Sequence, residues 1–158
     1  MLGKSKAFLA SVLLLASMSG AFANDISPVG RWKTINDKTG AQDGLIEITQ
    51  SGEELSGRII KIVPQPGDNP DGLCHKCDGA DKDQPIVGMT ILRGFKRDGD
   101  EWSGGTIMDP RSGDVYSSKM HLDESGKKLY VRGYIGISLL GRTTTWVRDD
   151  SCAAKPCE

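Results

Sequence analysis

The chain is poor in the residues and patterns that mark most chemistries. It has two histidines and only three each of Trp, Tyr and Phe. Neither Gly-x-Ser-x-Gly nor His-Glu-x-x-His occurs, so the usual signatures of a serine hydrolase and of a zinc protease are missing. There is no basic excess: 20 Lys and Arg face 21 Asp and Glu. A general nucleic-acid binder would carry a basic patch or stripe, so nucleic acid is not an expected partner. Beyond residue 23 no apolar run approaches the roughly 20 residues that a membrane-spanning helix needs. Helical periodicity is scarce there too.

The first 23 residues are of a different kind. Lys4 and Lys6 precede an apolar run from Ala7 to Met18, broken only by Ser11 and Ser17. Ala21-Phe22-Ala23 follows as a small-x-small site. Positive start, short apolar core and small-residue cleavage site are the order of a secretory signal peptide. The expectation is export to the periplasm or beyond, with Asn24 as the first mature residue. No Cys lies near the cleavage site, which argues against a lipid anchor. Without Lys4 and Lys6, 18 basic and 21 acidic residues remain, a net charge of −3. The expected organisation is a signal peptide over 1–23, one domain over 24–148 and a short tail over 149–158.

What the mature part does have is strand pattern. Runs of strand-forming residues are Gly30–Ile35, Leu45–Gln50, Leu55–Val63, Ile86–Phe95, Glu101–Met108, Val115–Leu122, Lys128–Ile135 and Arg142–Arg148. Turn-forming clusters separate most of them, such as Ser51-Gly52-Glu53-Glu54, Arg97-Asp98-Gly99-Asp100 and Asp123-Glu124-Ser125-Gly126. In Val115–Leu122, Tyr116, Met120 and Leu122 alternate with Ser117, Lys119 and His121. Period-two alternation marks a half-buried strand and puts His121 in solvent. Eight such strands joined by short turns predict an all-β fold: an eight-stranded antiparallel up-and-down barrel, which leaves no free edge. A two-sheet sandwich is the alternative. Gly57, Gly88, Gly94, Gly104, Gly105 and Gly133 fall in or beside strands, where glycine marks bulges and sharp bends.

Two sets of residues carry a resemblance. Gly30-x-Trp32 opens the first strand, and Arg142 or Arg148 in the last could pack across the indole by a cation–π contact. This is similar to lipocalin-like (calycin) barrels. The second set spans nearly the whole mature chain. It comprises Gly30-Arg31-Trp32-Lys33-Thr34, Asp37, Gly40, Gly57-Arg58-Ile59, Cys74-x-x-Cys77 and Pro85-Ile86-Val87-Gly88. It continues through Trp102-Ser103-Gly104-Gly105-Thr106-Ile107, Asp109-Pro110, Gly113, Tyr116 and Val131-Arg132-Gly133-Tyr134-Ile135-Gly136. Gly141-Arg142-Thr143, Trp146 and Arg148 complete it. The chain thereby resembles the domain-of-unknown-function family 2147, small exported bacterial proteins. The resemblance implies export and a β-barrel, and no activity. Cys152 and Cys157 lie outside its core pattern.

Pro64–Pro85 stands apart, with four prolines, three glycines, a run of aspartates and Cys74-His75-Lys76-Cys77. Long irregular loops in compact domains are usually functional or tied down. An even Cys count in an exported chain favours disulfides, here involving Cys74, Cys77, Cys152 and Cys157 in one of three pairings. Two other readings stay open. Paired thiols could cycle through a disulfide, although redox C-x-x-C normally heads a helix. The same cysteines with His75 and nearby aspartates could hold a metal, although a structural zinc needs four tetrahedral ligands. Asp37 and Asp109 are weak catalytic candidates, since turn aspartates mostly support the turn.

The functional expectation is non-enzymatic binding of a small, partly apolar ligand, with no cofactor and no metal. Trp32, Trp102 and Trp146 are the expected walls and Arg132 or Arg142 the anchor for an anionic head. The alternatives are an envelope interaction or assembly protein acting through the 64–85 loop, and a thiol or metal protein centred on Cys74 and Cys77.

Overall fold

A computed structural model describes residues 26–152. Eight strands run β1 (Gly30–Ile35), β2 (Gln42–Ser51), β3 (Glu54–Ile62), β4 (Thr90–Asp98), β5 (Glu101–Met108), β6 (Val115–Leu122), β7 (Lys128–Tyr134) and β8 (Arg142–Arg148). Each pairs antiparallel with the next, and β8 returns to β1. The barrel is closed, so no strand is left with an unpaired edge. The largest departures from the boundaries the sequence predicts are at the starts of β2 and β4. Strand β2 begins at Gln42, three residues early. Residues 86–89 belong to the preceding loop: the Ile86 amide donates to Gly72 O and the Gly88 amide to Ile59 O.

Strand parity decides what the barrel contains. Ile46 and Ile48, Leu55 and Ile59, Met120, Leu129 and Val131, and Trp146 are all buried, at alternate positions of their strands. The intervening, outward positions of the first three strands include the charged Arg31, Lys33, Glu47 and Arg58. Glu47 accepts from Arg31 Nε at 3.3 Å and Arg58 Nη2 at 2.7 Å. The Arg58 hydrogen bond, with help from Arg31, holds its carboxyl below the usual carboxylate range.

Large and small residues interlock across the interior. A Cβ on Gly105 would stand 2.4 Å from Phe95 Cδ2, so only glycine admits the fully buried Phe95 ring there. Gly57 stands in the same relation to Leu92, at 2.8 Å. This is the close packing of a filled core.

One end of the barrel is shut. Trp32 is 0% exposed, and its Nε1 donates to Pro28 O at 2.7 Å. The Arg148 guanidinium lies 4.2 Å above the indole. It also donates to Ser27 O, Val29 O and Gly126 O. One cation thus ties the N-terminal strap, the β6–β7 turn and the last strand to one aromatic ring. The resemblance left Arg142 and Arg148 open for this role; Arg148 fills it.

Candidate functional site

The opposite end is the mouth, built from the end of β1, the start of β2 and the turns and loops that join the strands there. The β3–β4 connection is the long loop. It is a fixed structure. Leu73 pairs with Pro85 as an isolated bridge, the Cys74 amide donates to Gln84 O, and the Asp83 amide donates to Cys74 O. Cys74 and Cys77 form a disulfide, and both are sealed from water, at 0% and 2% exposed.

The disulfide rests on the outer flank of the barrel. Cys77 Sγ is 3.7 Å from Met108 Sδ, and Cys74 Sγ is 3.2 Å from Pro110 O. The β5–β6 turn docks tightly against it: a Cβ on Gly113, where φ is +80°, would fall 1.9 Å from Lys76 O. Arg111 Nε completes the clamp on Asp68 Oδ1 at 2.7 Å. That hydrogen bond keeps the Asp68 carboxyl below its ordinary range.

His75 lies outside this seal. Its Nδ1 is 2.5 Å from Asp83 Oδ1 and its Nε2 is 2.8 Å from Asp71 Oδ2. The Asp83 contact first, then the Asp71 contact, raise the imidazole above its usual value. When the ring is charged both nitrogens donate, and His75 then bridges two loop carboxylates.

The thiol and metal readings have little purchase on this geometry. Thiol–disulfide exchange needs access to sulfur, and the paired sulfurs are buried under Met108 and Pro110. The segment after Cys77 enters a three-residue 3-10 turn, Gly79–Asp81, and no α-helix begins there. Among the described residues no group of three or more His, Cys, Asp or Glu is placed to hold a metal ion. The expected role of Cys157 lies outside the described residues, as does the signal peptide over 1–23. Asp109 serves its turn, accepting from the Arg111 amide through Oδ1. His121 is exposed, stacked on Tyr130 at 4.9 Å between centroids.

The five residues expected to form one ligand site are spread along the barrel. Trp32 sits in the shut base. Trp102, at the start of β5, also lies at the base, with Arg97 5.3 Å from its ring centroid. Trp146 is buried halfway up, opposite Thr34 in β1 and Leu129 in β7. Arg142 is at the mouth, on the same parity as Trp146 and Thr144. Arg132 is on the outer face of β7. Its guanidinium is spent on Ser138 O, Leu139 O and Thr143 Oγ1, bracing the β7–β8 loop. Parity decides this: Leu129, Val131 and Gly133 turn in, so Arg132 turns out.

What gathers at the mouth is a polar ring over an apolar floor. Arg142 Nη2 donates to Asp37 Oδ2 at 2.6 Å, joining β8 to the β1–β2 turn. The Arg142 side chain is 70% exposed. Thr34 donates to Asp43. The Tyr116 hydroxyl donates to Asp114 Oδ2 at 3.2 Å; burial first, then the Asp114 charge, push its phenol up. Ile107 and Tyr116 lie against the open inner face of Gly133, and Trp146 is buried farther along β8. Tyr116 and Asp114 escaped the sequence reading as site residues. The alternation that turns Tyr116 inward beside Met120 was the available signal.

Two clefts open elsewhere. One of about 430 Å³ lies at the base among Ser27, Gln50, Glu53, Lys96, Arg97 and Trp102. Another of about 290 Å³ lies against the long loop, among Asp81, Gln84, Pro85, Val87 and Met89.

Residues 30–148 match the family model described as an uncharacterized protein conserved in bacteria, DUF2147. The chain belongs to this family. The match takes in all eight strands of the DUF2147 barrel and stops at Arg148, so the Cys152 and Cys157 tail lies outside it. A solved structure of similar fold is protein HP1028 from the human pathogen Helicobacter pylori, described as belonging to the lipocalin family. The two are 16% identical with a TM-score of 0.67, over 81% of this chain and 88% of that one. At that identity the likeness is one of fold. No curated protein matches the chain. The DUF2147 barrel therefore has a lipocalin-like architecture: eight strands, all antiparallel and closed, with almost no helix.

Proposed function

We propose that this protein is exported and binds a small amphipathic anion at the mouth of its barrel, without catalysis. The carrying observation is Arg142. Among the strand residues facing inward at the mouth it bears the positive charge. Only its Nη2 bonds within the described residues, to Asp37. The remaining donors of the guanidinium fork suit a planar carboxylate or a phosphate, which Arg recognises through two parallel hydrogen bonds. Trp146, Ile107 and Tyr116 offer the apolar body of such a ligand a floor. Lipocalin-like barrels of eight strands either fill with their own side chains or hold one small ligand. Here Trp32 and the strap over it close the barrel axis at the base, so in this reading the ligand sits high. Export is supported by the signal-like first 23 residues and by the Cys74–Cys77 disulfide, which persists in oxidising compartments.

Dodecanoate is a suitable probe, titrated calorimetrically. Arg142→Gln is expected to weaken binding about tenfold, the loss of a charge-assisted pair, with an unchanged melting temperature. Equal binding by the variant, or no binding by either protein, would overturn the reading.

The base cleft supports a second reading. Its volume falls within the range of small-molecule sites, and Arg97 over Trp102 gives it an aromatic wall with a cation. Loss of dodecanoate binding in Arg97→Gln, with Arg142→Gln unaffected, would place the site there.

A further inference from the structure

The β7–β8 loop presents aliphatic side chains to water on a scale found nowhere else in the described residues. Ile135 is 74% exposed, Ile137 59%, Leu139 81% and Leu140 78%. Val115, opposite this loop at the start of β6, extends the patch. Contiguous exposed apolar surface of this kind marks a contact site.

The loop is built to hold these side chains out. Residues 138–140 form a 3-10 turn in which the Leu140 amide donates to Ile137 O and the Gly141 amide to Ser138 O. Arg132 reaches under the turn and donates to Ser138 O at 2.7 Å and to Leu139 O at 3.1 Å. Three successive carbonyls at the tip are thus satisfied from within, which lowers the cost of bringing them near hydrocarbon, where an unpaired backbone group costs several kcal/mol. Between Arg132 and Arg142 the sequence Gly-Tyr-Ile-Gly-Ile-Ser-Leu-Leu-Gly carries no charge. An arginine flanks it on each side, below an uncharged tip. Cations beneath an apolar tip complement the phosphate layer above the acyl chains.

We propose that the β7–β8 loop is a lipid-surface contact: Ile137, Leu139 and Leu140 enter the outer part of a bilayer leaflet while Arg132 and Arg142 lie at the phosphates. This reading shares Arg142 with the ligand reading, but its apolar tip, Ile137, Leu139 and Leu140, has no part in the ligand site.

The test is co-sedimentation with vesicles of phosphatidylethanolamine and phosphatidylglycerol. The protein is expressed with its own first 23 residues and purified. Leu139→Ser with Leu140→Ser is expected to reduce partitioning by about tenfold or more, given the apolar area removed. A second variant, Leu139→Trp, keeps the proposal falsifiable should the first lose stability. Its added fluorescence is expected to be quenched by lipids with brominated acyl chains, while the wild-type tryptophans, buried in the barrel, stay unquenched. Failure of the wild type to sediment would overturn the proposal. So would equal sedimentation of the double variant, or an unquenched indole at 139. Loss in the double variant of a dimer that ignores vesicles would assign the surface to a protein partner instead.

Discussion

The base and the mouth of this barrel are made from the same eight strands, yet they solve opposite problems. At the base, Trp32, Arg148 and the Ser27–Val29 strap close on each other, and polar groups there are paired to backbone within the protein. At the mouth, Arg142 keeps donors facing water, and four aliphatic side chains stand exposed on a braced turn. The comparison separates stability from function. Burial and cation–π contact are concentrated where the barrel is shut, and incomplete satisfaction where it is open. Conserving a fold needs only the first; recognising something outside the molecule needs the second.

The widest test of that contrast is at the base. Trp32→Ala is expected to destabilise the protein by about 3–5 kcal/mol, the cost of removing a buried indole and leaving its cavity. The loss of the Arg148 contact adds to this, on the order of 0.5–2 kcal/mol. Urea denaturation measures it. A loss near that of a surface substitution would show that the strap and Arg148, and not the ring, close the base.

An intermediate effect is expected at the clamp between the long loop and the β5–β6 turn. Replacing both Cys74 and Cys77 with alanine should cost about 2 kcal/mol by the chain-entropy relation for so short a loop. It should free the amides of residues 74–84 to exchange while strand amides keep their protection. Hydrogen exchange read by mass spectrometry distinguishes the outcomes. Equal deprotection of strands and loop would mean that the loop is part of the barrel's cooperative unit.

The smallest effect is one of pH. His75 has a raised pKa in the folded loop because Asp83 and Asp71 stabilise the imidazolium. The stabilising charge is therefore fully present below the unfolded histidine value, near 6.5, and is lost as pH rises through the higher folded value. An NMR titration of the ring should show a midpoint above that of a free histidine. Loop amide exchange, corrected for its intrinsic pH dependence, should rise across the same window. A midpoint at or below the free value would remove the His75 bridge from the account of the loop.

The fold was legible because strand alternation is local. Tyr116, Met120 and Leu122 alternating with Ser117, Lys119 and His121 require only that one face be buried, and short polar turns require antiparallel neighbours. Closure followed from eight such strands with no spare edge. The site was less legible, and Arg132 shows why. It stands between Val131 and Gly133 in β7, with its side chain on the opposite face from theirs. Which face turns into the barrel and which out depends on the partner strands. Trp32, Trp102 and Trp146 read alike as aromatic walls. Their height along the barrel, which sends two of them to the base, depends on the stagger of strands far apart in sequence.

The sequence by itself determined an all-β chain with a signal-like start, eight strands, one long cysteine-bearing loop and membership of a recognisable family. Only the tertiary structure decided that Arg148 and not Arg142 crosses Trp32, that Cys74 and Cys77 bond to each other beneath the surface, and that Arg132 supports an exposed aliphatic turn. The physical reason is range. Period-two patterning and turn chemistry act over a few residues. Barrel closure brings β1 beside β8, more than a hundred residues apart along the chain, and it is there that the cation, the carbonyls and the indole first meet.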